Sequence, residues 1–199
     1  MVSGIMAQAG VAGEIRDGFK FRGGHVALDL AATLAARRRE QPRELLQSPH
    51  DLARWLVAAG LTAGVPTATD ADLARARTLR EVLYRLAVAR ARHERLSPSD
   101  RRLLNRCAAG QAAAPQLGAD GRTHVTGSVT SLLVSIARDG VELLGGEQAA
   151  RIRQCAGETC ALLFVDGSRA GARRWCSMAG CGNKAKVADF RRRERRGGQ

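Results

Sequence analysis

Aromatic side chains are scarce in this chain. They make up only 4% of the 199 residues, although 45% of the residues are hydrophobic, so leucine, alanine and valine supply most of the apolar content. Aromatic and β-branched enrichment is typical of sheets, whereas leucine and alanine fit helices well. The composition therefore predicts a mainly α-helical protein with a core of small and aliphatic side chains.

Long apolar runs are missing as well. No stretch of about 18 apolar residues occurs, and the N-terminal segment MVSGIMAQAGVAGEIRDG has neither the basic start nor the continuous apolar run of a signal peptide. We expect a soluble, cytoplasmic protein without a membrane partner. In that reducing compartment, clustered cysteines point to bound metal before disulfides.

Catalytic motifs are absent too. The four histidines, at positions 25, 50, 93 and 124, are far apart in the sequence. The chain contains no nucleophile motif, no phosphate-binding glycine loop and no helical His-Glu-x-x-His pair. We therefore expect no enzymatic activity and interpret each histidine as an ordinary surface or core residue.

Acidic residues are outnumbered. The chain has 32 basic and 19 acidic side chains, a net charge of +13, and a positive field attracts polyanions. Residues 151–199 hold twelve basic and four acidic side chains, whereas residues 1–150 hold twenty and fifteen. The C-terminal quarter is therefore predicted to contact nucleic acid, with a solvated basic tail that has no partner as the alternative.

Capping patterns predict where four helices begin. Ser48-Pro49 and Ser97-Pro98 each place a hydroxyl at the N-cap, proline at the first helical position and aspartate two residues later. Thr69 begins a long segment that we expect to be the central helix of a bundle. Ser128 begins another helix, which Gly145-Gly146 should stop.

Other segments carry weaker patterns. Phe19–Phe21 is predicted as a short strand, His25–Arg38 as a helix, and residues 110–127, with Asp120-Gly121, as a hairpin or loop. The chain is thus divided into a flexible leader, a helical domain with a short β element and a small basic module, over residues 1–18, 19–150 and 151–199.

The four C-terminal cysteines have the spacing of a metal site. Two C-x4-C pairs are separated by fifteen residues, and they consist of Cys155, Cys160, Cys176 and Cys181. This spacing lets two knuckles meet on one tetrahedral Zn²⁺ ion, and four thiolates leave no open position for a catalytic water. We predict one structural zinc, with two disulfides or free thiols as alternatives. Cys107 fits plain core packing.

The residues around these cysteines predict a small module. Leu162–Val165 is expected to form a strand, Gly167–Gly171 a turn and Arg173–Trp175 a returning strand, so that the hairpin brings the two cysteine pairs together. Asn183 is expected to cap a helix that begins near Lys184. The expected fold is a zinc-pinned hairpin followed by one basic helix.

The segment LFVDGSRAGARRWCSMAGCGNKAKV resembles the CGNR zinc finger, which is named for a Cys-Gly-Asn-Arg run. FRGGHVALDL and SPHDLARWLVAAGL are compatible with the helical ABATE domain that usually precedes this finger, so the resemblance covers most of residues 19–191. It implies a stress-induced transcription regulator. Lys184 stands where the family has arginine, and Gly167 and Ala170 occupy a turn that is often more basic. Since lysine lacks arginine's planar fork, bidentate recognition of a base or phosphate is in doubt.

We accordingly expect the finger to bind duplex DNA, while the helical domain carries regulation through a small-molecule effector or a homodimer. The candidate DNA contacts are Arg173, Arg174, Lys184, Lys186, Arg191, Arg192 and Arg195. One alternative is a protein- or RNA-binding finger. Another is a small-molecule sensor or enzyme in the helical domain, stabilised by its zinc tail.

The terminal helix should present one face to DNA. At about 100° per residue, a single stripe holds Lys184, Ala188, Arg191 and Arg195. Lys186 and Arg193 point to nearly the opposite side. Val187 and Phe190 are expected to dock on Trp175 and the zinc hairpin, and so to fix the orientation of the stripe.

Overall fold

The computed structural model describes residues 14–197, with side chains as far as residue 194. About half of this part of the chain is helical. Its six α-helices are α1 Val26–Ala31, α2 Pro49–Ala58, α3 Asp70–Ala91, α4 Pro98–Ala108, α5 Val129–Gly145 and α6 Asn183–Gly197. The prediction of a mainly helical chain with short β elements and a C-terminal cysteine module is confirmed.

The predicted helix starts are confirmed by their caps. The Ser48 hydroxyl accepts a hydrogen bond from the Asp51 backbone N–H, and the Asp51 carboxylate accepts one from the Ser48 N–H in return. Thr69 and Asp72 form the same reciprocal pair at the start of α3. Ser97 and Ser128 cap α4 and α5. Local sequence chemistry therefore determines where these four helices begin.

Four antiparallel strand pairs accompany the helices. They are β1 Glu14–Arg16 with β2 Phe19–Phe21, β3 Leu34–Ala35 with β4 Arg43–Glu44, β5 Ala114–Leu117 with β6 Thr123–Thr126, and β7 Ile152–Gln154 with β8 Leu163–Val165. The hairpin predicted within residues 110–127 is confirmed. Strand β1 makes residues 14–18 part of the fold and not of a flexible leader. The rest of that predicted leader, residues 1–13, lies outside the described residues.

Helix α1 is shorter than predicted, because the segment expected to be helical through Arg38 leaves the helix after Ala31. The Thr33 hydroxyl donates a 2.7 Å hydrogen bond to the Leu30 carbonyl. The Thr33 carbonyl accepts from the Leu45 N–H at 3.0 Å and thereby starts the pairing of β3 with β4. Threonine side chains compete in this way with helical bonding, so the prediction was wrong beyond Ala31.

The core is built around α3, as predicted. Helices α1, α2, α4 and α5 all contact it, and Leu83 and Leu86 of α3 are fully buried. Gly140 lets α5 approach closely, since a Cβ atom there would lie 2.4 Å from the Leu83 Cδ2 atom. Within the described residues, no helix is both long enough and apolar enough to cross a bilayer.

The β7–β8 hairpin completes this same core. Ile152 and Leu163 are buried in one apolar cluster with the side chains of α3 and α5. The Val165 N–H donates a 2.9 Å hydrogen bond to the Gly23 carbonyl, close to the start of α1. The predicted boundary near residue 150 therefore separates two stretches of sequence but not two hydrophobic cores.

Candidate metal centre

The four predicted zinc ligands meet at one point. Their sulfur atoms all lie within 4.8 Å of one another, with 3.9 Å between Cys160 and Cys176 and 3.8 Å between Cys176 and Cys181. Sulfur atoms about 2.3 Å from a tetrahedral zinc ion are about 3.8 Å apart. All five cysteines are free thiols, which excludes the two-disulfide alternative. The geometry and the ligand set both fit one structural Zn²⁺ ion.

The first cysteine pair forms a knuckle directly after β7. The Cys155 N–H donates to the Leu162 carbonyl at 2.8 Å, and the Cys160 N–H donates to the Gly157 carbonyl at 3.1 Å. Gly157 is required for space, because a Cβ atom there would lie 3.1 Å from the Cys160 Cβ and 3.2 Å from the Cys181 sulfur. The tight turn therefore places both thiols on the side that faces the second pair.

The second pair reaches the site through an extended segment and a helical turn. The Ala156 N–H donates to the Arg174 carbonyl at 2.8 Å, which brings the segment before Cys176 against the first knuckle. A π-helical turn, Met178–Gly182, follows and carries Cys181. Ser177 caps this turn, so the role predicted for Asn183 was wrong, and Asn183 is the first residue of α6.

The returning strand predicted over Arg173–Trp175 does not form. Strand β8 pairs with β7, and the Arg173 N–H donates at 2.9 Å to the carboxylate of buried Asp166. The same carboxylate accepts the Ser168 N–H at 2.9 Å. Asp166 thus takes the donors that a strand pairing would have used. Sequence reasoning missed this residue, although the Asp-Gly pair at 166–167 is typical of turns.

Hydrogen bonds favour a negative charge on one sulfur of the site. The pKa of Cys155 is lowered because the thiols of Cys160 and Cys176 and the backbone N–H groups of Cys176 and Gly157 all donate to its sulfur. The two backbone donors lie 3.4 Å from that sulfur. Thiolate is the form of cysteine that binds zinc, so the backbone favours the ligand state.

An arginine of the helical domain also holds the first knuckle. Arg38 Nη1 donates to the carbonyls of Cys155 and Gly157, at 3.2 and 2.9 Å, and Nη2 donates to Gln154 Oε1 at 3.1 Å. The Gln154 amide donates in turn to the hydroxyl of Tyr84, on α3, at 3.0 Å. Sequence reasoning missed Arg38, because that residue was expected to lie in a helix.

The structure separates the predicted DNA contacts into two groups. Arg173 is directed inward, since its guanidinium donates to the carbonyls of Trp175 and Cys176 and lies over the Phe164 ring. Arg174 is exposed and lies 4.9 Å from the Trp175 ring centroid. Exposed positions on α6 hold the remaining candidates, Lys184, Lys186, Arg191 and Arg192. The side chain of Arg195 lies outside the described residues.

The orientation predicted for α6 is wrong. Val187 and Phe190 do not dock on the hairpin, because their exposed fractions are 41% and 62%. The buried and half-buried positions at the start of the helix are Gly182 and Ala185. At about 100° per residue, these two lie on nearly the opposite side from Val187 and Phe190. The apolar pair therefore points away from the finger.

Two family models match the chain. The ABATE model, described as a putative stress-induced transcription regulator, matches residues 24–147. The CGNR zinc finger model matches residues 151–194 and so includes all four clustered cysteines. A search of curated proteins found no match. Together with the four-sulfur geometry, the second match confirms the predicted structural zinc site.

Proposed function

The chain belongs to the ABATE family and carries a CGNR zinc finger, and from this premise we propose that it is a transcription regulator whose finger binds duplex DNA. The family description supports a regulatory role. The contact with DNA is our own inference from the charge and exposure of α6.

The observation that carries the proposal is the exposure of a basic helix. Among the described side chains of α6, five are basic and two are acidic, and all seven are exposed. The basic side chains are those of Lys184, Lys186, Arg191, Arg192 and Arg193. Fifteen helical residues span about 22 Å, and an α-helix fits the major groove of B-DNA. A projecting helix of this charge suits the phosphate backbone on either side of a groove.

The zinc site supplies the fixed base from which α6 projects. Cys181 lies in the π-helical turn that runs directly into α6, so the metal anchors the first turn of the helix. Cys155, on the other side of the metal, follows strand β7 of the shared core. Zinc would therefore transmit the orientation of the core to the DNA-binding helix.

The test compares two triple variants of equal charge. Arg191→Ala with Arg192→Ala and Arg193→Ala removes three exposed charges from α6, and Arg101→Ala with Arg102→Ala and Arg106→Ala removes three from exposed positions of α4. Fluorescence anisotropy on a mixed-sequence duplex should show at least about tenfold weaker binding for the α6 triple. Its salt slope should also fall by as much as about 0.9 per lost phosphate contact.

Two results would contradict DNA binding by α6. The first is an equal loss from the α4 triple, which would indicate an unlocalised charge effect. The second is tighter binding of the intact chain to RNA of the same sequence than to the DNA duplex. Deletion of residues 184–199 should give the same loss as the α6 triple or a larger one, with the helical domain still folded.

A small-molecule effector is the second candidate, and it concerns the helical domain. An open groove of about 480 Å³ lies where α3 and α5 end, with Arg90, His93, Glu94 and Glu147 among its lining residues. Small-ligand sites typically measure about 300–1,000 Å³. A thermal-shift screen of metabolites tests the idea, because a ligand that binds only the folded state raises the melting temperature. A hit that His93→Ala does not weaken would place the ligand elsewhere.

A further inference from the structure

The side of α6 that points away from the finger carries an apolar pair. Val187 and Phe190 are three residues apart, so they share one face, and both are exposed. At about 100° per residue, basic side chains flank this face on both sides. Arg191 and Lys184 lie on one flank, and Lys186 and Arg193 lie on the other.

This pattern favours nucleic acid over the other partners of an apolar face. A second copy of α6 would bring two strongly basic helices together, and like charges repel. A bilayer takes up a broad apolar face, whereas this one is two side chains wide. A DNA groove has phosphates along both edges and base edges on its floor, which matches two basic flanks around a narrow apolar centre.

We propose that Phe190, assisted by Val187, contacts the 5-methyl groups of thymine on the floor of the major groove, while the flanking basic residues bind the phosphates on both sides. The proposal rests on the proposed function, since it assumes that α6 enters the groove of duplex DNA. Thymine methyls are the apolar groups that the major groove presents, and phenylalanine is among the side chains that contact them. The face that meets DNA is therefore centred on Phe190 and not on Ala188.

The experiment is a double-mutant cycle between protein and DNA. The intact chain and its Phe190→Ala variant are titrated on an alternating dA·dT duplex and on the same duplex with deoxyuridine in place of thymidine, which removes only the methyl group. Loss of one buried methyl contact should weaken binding of the intact chain about fourfold. The variant should bind both duplexes equally, with the same salt slope as the intact chain, because no ionic contact is lost.

Two controls accompany the cycle. Alanine is a better helix former than phenylalanine, so Phe190→Ala should retain its helix and its zinc. Leu117→Ala removes another exposed apolar side chain, 80% exposed on strand β5, and should leave the binding unchanged. Any effect of deoxyuridine on DNA shape would appear equally with the intact chain and with the variant.

Each outcome has a distinct meaning. Equal affinities of the intact chain and Phe190→Ala on both duplexes would overturn the base contact and leave DNA binding standing. Failure of the intact chain to bind any duplex would overturn both proposals. Binding to anionic phospholipid vesicles but not to DNA would assign the apolar face to a membrane surface.

Discussion

The Arg38 Nη1 atom lies 2.9 Å from the carbonyl oxygen of Gly157, inside the loop that joins the first two zinc ligands. An arginine between β3 and β4 of the helical domain thus holds part of the metal site. A carbonyl that accepts a charged donor is restrained, and so is the knuckle to which it belongs. The helical domain and the zinc site should therefore stabilise each other.

Replacement of Arg38 by alanine tests this coupling. The variant loses three hydrogen bonds to the finger, and since the side chain is exposed, we expect a loss of about 1 kcal/mol in stability. A chelator should then remove zinc several times faster. The control is Arg39→Ala, because the neighbouring Arg39 side chain makes no hydrogen bond to the described part of the finger. Equal zinc release from both variants would contradict a role for Arg38 at the metal site.

Replacement of a zinc ligand should remove the metal. We expect about one Zn²⁺ per chain in the purified protein and well below one in Cys176→Ser, because loss of a thiolate opens a closed tetrahedral site. Cys107→Ser is the matched control, since Cys107 packs beside the helical core and lies outside the cluster. Elemental analysis measures both. A wild-type chain that contains disulfides and no zinc would refute the site.

Truncation of Leu163 should destabilise the helical domain, although this residue lies between the two cysteine pairs. Leu163 is buried in the cluster around α3, and a cavity left by a leucine costs about 2–5 kcal/mol. Urea unfolding followed by helical circular dichroism should show a single transition at lower denaturant. A variant whose helical transition is unchanged would mean that the finger hairpin folds separately from α3.

Asp29 should make stability depend on pH. Burial raises the pKa of this carboxyl to about 7, although it accepts a hydrogen bond from the Gly23 N–H. Between about pH 4 and pH 7 the folded chain therefore holds a proton that the unfolded chain has lost. Stability should fall as the pH rises through this range, by up to about 1.4 kcal/mol per unit, and level off above it.

The Asp29→Asn variant isolates this effect. Asparagine keeps an oxygen that can accept the Gly23 hydrogen bond but does not titrate. Its stability should therefore fall less between pH 5.5 and pH 7 than that of the wild-type chain, on the order of 1 kcal/mol less. Titration at the zinc site is common to both chains and cancels in the comparison. Parallel stability curves in urea unfolding would show that Asp29 is ionised throughout.

Features that depend on neighbouring residues could be predicted from the sequence. The cap at Ser48 needs only the next three residues, and the cysteine spacing alone indicates a shared metal. Strand β7 has only three residues, too few for a periodic pattern, and its pairing with β8 depends on the burial of Ile152 against distant helices. That pairing could not be predicted locally.

The orientation of α6 shows a second limit of sequence reasoning. Helical spacing correctly placed Val187 and Phe190 on one face, because periodicity follows from backbone geometry. It could not tell where that face points, since the direction is set by the π-helical turn and by Cys181. Arg38 was missed for a related reason. Its contacts depend on α1 ending early, at a threonine whose hydroxyl bonds back to the helix.

The hydrogen bond from Val165 to Gly23 has a consequence for the chain as it emerges from the ribosome. Gly23 appears early, but its partner strand follows only after all the helices of the core have been made. At typical elongation rates this interval is on the order of ten seconds. During that time the nascent bundle exposes the apolar site that Ile152 and Leu163 later fill. Metal capture should then coincide with the last step of folding, and zinc starvation would leave newly made chains open to aggregation and proteolysis.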